Sequence, residues 1–326
     1  MLVDDDYLTF DFHSHPGAFY ARNTPEDPGA TMLNATLNAM KTGKLTGAFF
    51  SLVADMKVLQ RTPTGIKPNG NYAKGEGWME YKRQLNLISE IWKANGIIQA
   101  RKASDLDKAF KEGKTAAFIS VEGGDSLEGD AGKLEEMYND GVRSVQIVHY
   151  HPNELGDLQT EAPQHNGLSP EGKEVIRRMN KLKMLIDLAH ATYETTKAVA
   201  SMTDAPLLLS HSILQMESDR PLAKRAITAE HAKVIASTGG VIGAWPSGFN
   251  KSFDEYIDNI KRLIDVVGID HVGIGTDMDG NFRPVLASYD EVPRWIGALK
   301  AKGLLDEEAR KVAGGNARRL LEKVVG

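Results

Sequence analysis

Apolar residues in this chain gather in short runs separated by longer amphipathic stretches. Eight runs recur: Leu8–Phe12, Gly47–Val53, Ala116–Val121, Val142–Val148, Met184–Leu188, Leu207–Ser210, Val241–Trp245 and Val272–Thr276. Most are continuously apolar, as expected of strands buried on both faces of a parallel sheet. Helical patterns lie between them. Trp78–Ala94 carries Met79, Leu85, Ile88, Ile91 and Trp92 at helical spacing and stops at Gly96, which suits the left-handed position after a helix. Ser104 with Asp107 predicts a capping-box start, Leu134–Asn139 stops near Gly141, and Ser169-Pro170 reads as N-cap and first helical position. Thr228 opens Ala229–Ala236, Ser252 with Glu255 forms a capping box before Tyr256–Val267, and Asp306 opens a last helical region to Val324.

Strand and helix alternating in this way, with right-handed crossovers, predict an α/β fold: a closed (β/α)8 barrel of the TIM type, spanning residues 1–326 as a single domain. An open doubly wound sheet is the competitor, but the chain has neither a Gly-x-Gly-x-x-Gly turn nor a Walker loop. Pro16–Gly29 and Gly65–Gly77 are rich in Gly, Pro and Asn and predict long loops on the first two β-to-α connections.

Composition narrows the function. The 326 residues are 41% hydrophobic and 25% charged, with a net charge of −5 and both signs interspersed, so no basic stripe points to nucleic acid or an anionic membrane. There is no cysteine, hence no disulfide, and any metal site must be built from His, Asp and Glu. Met1-Leu2-Val3-Asp4-Asp5-Asp6 lacks the basic and apolar regions of a signal peptide, no uncharged apolar run reaches membrane length, and the C-terminal stretch is charged and amphipathic. The expectation is a cytoplasmic protein.

In a (β/α)8 enzyme the chemistry sits at the C-terminal ends of the strands. Strand one ends in His13 and His15, whose side chains, two apart, share a face. Strand three ends in Glu122, strand four in His149, strand five in His190, strand six in His211 and strand eight in Asp277. Of nine histidines, five stand at such ends, and with two carboxylates they converge on a metal site. The other four, His151, His165, His231 and His271, read as structural, with His271 at the barrel bottom. Glu122 has two oxygens and can bridge two ions about 3.5–4 Å apart, a standard hydrolytic arrangement. Asp277, beside an activated water, is placed to be general base and then general acid.

Together these residues resemble the membrane (renal) dipeptidase family of zinc metallopeptidases, within the amidohydrolase-type barrels. The resemblance runs along nearly the whole chain through the opening Asp-x-His-x-x-Pro, Glu122-Gly123-Gly124, Gly141-Val142-Arg143 leading to His149, Asp187-Leu188-Ala189-His190, Ser210-His211-Ser212, the segment from His271 to Gly280, and Gly314-Gly315-Asn316. It implies two zinc ions: His13 and position 15 on one, His190 and His211 on the other, Glu122 bridging. It further implies that His149 contacts the scissile carbonyl, that Arg225 holds the substrate carboxylate, and that Asp277 is the proton shuttle, with Asp279 as fallback. Read from the residues alone, Arg225 would be solvated surface before a helix cap. One departure stands out: the family pattern has aspartate at position 15, where this chain has His15. Histidine still coordinates, but the change removes a negative charge and leaves the second ion site partly occupied as an expectation.

The resulting expectation is a soluble, zinc-dependent dipeptidase acting on small dipeptides, without nucleic-acid or membrane partners and compatible with a homodimer. The alternatives are another amide or ester hydrolase of the same barrel, such as an N-acyl amino acid hydrolase or lactonase, or a metal-binding protein without turnover.

Overall fold

The computed structural model describes residues 7–63 and 65–326, so the reading of Met1–Asp6 falls outside the described residues. Eight parallel strands close into a barrel: β1 (Phe10–Ser14), β2 (Gly47–Val53), β3 (Ala116–Glu122), β4 (Val142–Gln146), β5 (Leu185–Asp187), β6 (Leu208–Ser212), β7 (Val241–Ala244) and β8 (Val272–Ile274). Each pairs with its neighbours in sequence, and closure comes from β1 pairing with β8 through Asp11 and Ile274. All eight apolar runs of the sequence are barrel strands. The tightest seam joins β2 to β3, in register from Gly47–Ala116 to Val53–Glu122. A short strand, Ile98–Gln99, occupies the β3 edge below the start of β4.

The barrel interior is layered. Phe10, Phe49 and Phe118 fill the lower part edge to face, with ring centroids 5.5–5.8 Å apart. Above them comes a layer of serines, in which the Ser51 and Ser120 hydroxyls are 2.6 Å apart. The imidazoles stand above the serines. Strict alternation would not let both Phe10 and His13 face inward, since they are an odd number of positions apart. The β1 register shifts against β2 between Asp11 and Ser14, and this irregularity turns His13 and His15 to the inside.

The helices are α1 (Ala30–Thr42), α2 (Glu76–Asn95), α3 (Ala103–Glu112), α4 (Lys133–Asp140), α5 (Pro170–Leu182), α6 (Tyr193–Ala200), α7 (Ala229–Ser237), α8 (Phe253–Val267), α9 (Val292–Ala301), α10 (Asp306–Arg310) and α11 (Asn316–Val324). Their ends follow capping chemistry: Ser169, Thr228 and Ser252 each accept a backbone N–H of the first turn, and Gly96 closes α2 with φ 64°.

Four local expectations need correction. Ser104 lies inside α3; the cap is at Lys102, where the Asp105 carboxylate accepts the N–H groups of Arg101 and Lys102. Glu255 does not complete a box with Ser252, because its carboxylate turns to the Lys251 N–H and to Arg220. Met79, although at helical spacing, is 64% exposed, so the buried stripe of α2 runs through Tyr81, Leu85, Ile88 and Trp92. The last helical region is broken by a π-turn at Lys311–Gly315, where a Cβ on Gly314 would sit 2.5 Å from the Leu8 carbonyl oxygen. The two long loops are also more ordered than their composition suggests. Pro16–Ala21 forms 3-10 turns, and Leu59–Thr62 pairs antiparallel with Gly65–Pro68.

Candidate metal centre

The C-terminal ends of six of the eight barrel strands, or the loops just beyond them, deliver side chains to one cluster. His13 Nε2 and His15 Nε2 are 3.1 Å apart, as are His190 Nε2 and His211 Nε2. Glu122 lies between the pairs. Its Oε1 is 3.2 Å from His13, 3.3 Å from His149, 3.6 Å from His190 and 3.8 Å from His211, and its Oε2 is 3.3 Å from His15. Asp277 Oδ1 is 3.4 Å from His15 Nε2. The donor atoms fall into three groups close enough to share an ion: His13, His15 and Asp277; His13, Glu122 and His211; and Glu122, His149 and His190. The structure therefore brings His13, His15, Glu122, His149, His190, His211 and Asp277 to one point.

The backbone holds this loop cluster tightly. The Asp277 N–H donates to the His13 carbonyl and the His15 N–H to the Met278 carbonyl, at 2.8 and 2.9 Å. Asp277 has φ 53°, and Gly280 has no room for a side chain: a Cβ there would sit 2.6 Å from Asp277 Oδ1 and 2.7 Å from His15 Cδ2. Asp279, the fallback proton carrier, is committed elsewhere. Its Oδ2 accepts the Gly17 N–H and the Thr36 hydroxyl, both at 2.6 Å.

The donor set fits a cation. His15 Nδ1 must donate to the Ser51 carbonyl oxygen at 2.8 Å, so the lone pair of its Nε2 faces two carboxylate oxygens. Acceptor against acceptor is repulsive, and a positive charge must sit between them. Without an ion that charge is a proton. Burial opposes it, but the hydrogen bonds to Asp277 and Glu122 outweigh burial and push His15 up to about 10. His190 and His211 behave oppositely: burial, reinforced by Arg225 and the neighbouring imidazoles, drives both well below the usual histidine range, so they stay neutral, the form in which an imidazole can ligate a metal. Burial alone would raise Glu122, but His149, His13 and His15 prevail and hold its carboxyl well below the usual range.

A second ring of groups orients these ligands. Asp55, fully buried just after β2, accepts His149 Nδ1–H at 2.7 Å and the N–H groups of Tyr150 and His151 at 3.2 and 3.0 Å. Burial works against protonation of His149, but Asp55 and Glu122 raise it on balance. Ser51 and Ser210 hydroxyls meet His13 Nδ1 at 3.2 and 3.3 Å. Asp11, buried beneath, accepts from the Thr276 N–H and hydroxyl, the Tyr289 hydroxyl and the His13 N–H, which ties β1 to the strand-eight loop.

Arg225 does not lie on the surface. It is 1% exposed, its Nη2 is 3.2 Å from His211 Nε2, its Nη1 donates to Gln159 Oε1, and its guanidinium lies 5.4 Å from the Trp245 ring centroid. Its Nε–H meets no acceptor, and among the described residues no carboxylate pairs with it. The other four histidines are structural in their contacts. His151 pairs with Asp125, His165 donates Nε2–H to the Asn153 backbone carbonyl, His231 meets Thr196, and His271 meets the Gly240 carbonyl below β7.

Sequence reasoning missed Asp55, Tyr150 and Gln159. Asp55 carried a usable signal, an acid directly after an apolar strand; Tyr150 and Gln159 carried none.

The chain was compared with known proteins. The family model described as membrane dipeptidase (peptidase family M19) matches residues 9–325. Dipeptidase verJ of Clonostachys rogersoniana is 28% identical over 233 residues, which cover 69% of this chain and 59% of that protein. The chain spans about three fifths of the length of the curated relatives it matches. Among solved structures, a metallopeptidase from Rhodobacter sphaeroides liganded with a phosphinate mimic of the dipeptide L-Ala-D-Ala superposes with a TM-score of 0.82 at 22% identity, covering 98% of this chain and 100% of that one. A dipeptidase of family M19 gives 0.83 at 22% identity, covering 99% and 100%. These likenesses fix the closed barrel fold.

Proposed function

This chain belongs to the membrane dipeptidase family, peptidase family M19, and from that premise we propose that its barrel mouth is a zinc-dependent site that hydrolyses the peptide bond of dipeptides. The observation that carries the reading is the distance between Arg225 and the donor cluster. Arg225 Nη2 is 3.2 Å from His211 Nε2, so a carboxylate held on this guanidinium lies beside the donor cluster. A peptide bond close to a free carboxylate, as in a dipeptide, is what such a site would take. A buried guanidinium without an anion is costly, and a substrate carboxylate is its natural partner.

His13, His15, Glu122, His190 and His211 would hold the metal. Ions bound there would supply Lewis acidity toward the carbonyl and lower the pKa of a water. The protein's own groups supply the rest. Asp277 takes the proton of the attacking water and returns it to the departing amine. His149, whose protonated form Asp55 and Glu122 favour, donates Nδ1–H to Asp55 and offers Nε2–H to the developing oxyanion. Arg225 binds the carboxylate and fixes which bond is cut.

The test is metal analysis of the purified protein joined to a screen of dipeptides and N-acyl amino acids. We expect bound zinc, release of free amino acids from dipeptides, and loss of activity with chelator. Preferential cleavage of N-acyl amino acids, which present the same carboxylate, would replace this reading by that of an acylase; zinc-loaded protein inert toward all of them would leave a binding protein.

A further inference from the structure

We propose that Tyr150 is a second donor to the substrate carboxylate, acting beside Arg225; the proposal rests on the dipeptidase reading and deepens it. Tyr150 follows His149 on the loop after β4. Its ring stands edge-on to His149 and to His190, with centroids 4.7 and 4.8 Å away, so it is wedged against the donor cluster. Its hydroxyl is hydrogen-bonded to the Arg225 guanidinium.

That pairing fixes the direction of the bond. Arginine has donors only, so the tyrosine oxygen accepts from Arg225 and its own O–H is left to donate elsewhere. Arg225 Nε–H lacks an acceptor. The unsatisfied Arg225 Nε–H and the Tyr150 O–H therefore stand together beside the reaction centre, at a buried positive charge that no carboxylate pairs with directly among the described residues. A carboxylate has two oxygens and lone pairs enough to satisfy both, whereas a neutral carboxamide satisfies them less well and brings unwanted N–H groups. Gln159 steadies the arrangement from the far side by accepting Arg225 Nη1–H. The Tyr150 backbone is held by Asp55, the same carboxylate that orients His149, so ring and imidazole move as one unit.

Tyr150→Phe tests this, since it keeps the ring wedge and removes only the hydroxyl. Binding of a phosphinate dipeptide mimic with a free carboxylate, and of its C-terminal methyl ester, is measured by calorimetry on zinc-loaded natural protein and variant, with metal content checked in both. We expect the variant to keep its metal, to bind the free acid roughly tenfold more weakly, as for one charge-assisted hydrogen bond, and to bind the ester as before. Unchanged affinity for the acid, equal losses on acid and ester, or binding of neither form by the natural protein overturns the proposal. Turnover of dipeptides is scored separately: natural protein that binds the acid form and discriminates against the ester, yet releases no amino acids, would refute the dipeptidase reading and leave Tyr150 in place.

Discussion

Asp277 and Arg225 occupy opposite situations, and each predicts a different kinetic signature. Asp277 has φ 53°, a conformation asparagine tolerates, so Asp277→Asn should leave the loop and the metal content intact. The amide cannot take a proton. We expect kcat to fall at least ~10²-fold, the lower range for general acid–base catalysis; near-normal turnover in a metal-replete variant would remove Asp277 from the mechanism. Arg225 is buried beside the cluster, and its proposed role is to bind without reacting. Arg225→Ala should raise KM for free dipeptides tenfold or more, about 1.5–3 kcal/mol for a charge-assisted pair, and change KM for amidated ones little. Equal effects on both would show that Arg225 does not read the carboxylate. The donor residues were legible in the sequence because histidines and acids at strand ends are rare and their positions periodic. Arg225 was legible only through the family resemblance, since nothing local distinguishes a buried arginine before a helix cap from a solvated one. Tyr150 and Gln159 were not legible at all: a loop tyrosine and a loop glutamine acquire meaning only when the chain closes and brings Arg225 to them.

Among the elements, apolar runs located all eight strands, while capping signals located helix starts less evenly. Ser169 and Thr228 caps were read correctly, but in α3 the carboxylate of Asp105 won over Ser104, a competition that two-residue shifts in spacing cannot resolve. The α6–α7 contact carries a pH dependence. His231 sits in the first turn of α7, buried, with Nε2 2.8 Å from the Thr196 hydroxyl, and burial pushes it down from 6.5 to about 4. A helix N-terminus also disfavours positive charge. The unfolded chain therefore takes up the proton first as pH falls. The stabilisation from neutral His231 is complete above pH 6.5 and is lost toward pH 4. The expected loss is about 2 kcal/mol by pH 5. Urea unfolding at pH 7 and pH 5 should show a smaller difference in His231→Gln than in the natural protein; identical differences would mean that other groups set the acid sensitivity.

For the whole molecule, the donor cluster is a set of buried groups that need either protons or an ion between them. His15 Nε2 faces Glu122 and Asp277 oxygens, and two imidazole pairs meet at 3.1 Å between their Nε2 atoms. Chelation should therefore destabilise the barrel as well as silence it. An ion held at a hundred times its Kd contributes about 2.7 kcal/mol, so removal should lower Tm by about 5 °C in a scan at pH 7. No shift in Tm on exhaustive chelation would mean that the centre is preformed without metal and that protons satisfy it fully.

The way β1 is shared has a consequence for biosynthesis. Its two neighbours are β2, a few dozen residues downstream, and β8, almost at the other end of the sequence. A chain emerging from the ribosome makes β1 early and can pair only one of its edges; the other stays open until Val272–Ile274 has been translated. His13 and His15 likewise wait for Asp277, which arrives on the loop just after that strand. Non-local closure of this kind is late by necessity. Metal loading at this arm is therefore expected to follow translation: stalled nascent chains ending before β8 should capture no metal ion on His13 and His15, whereas full-length chains released from the same ribosomes should.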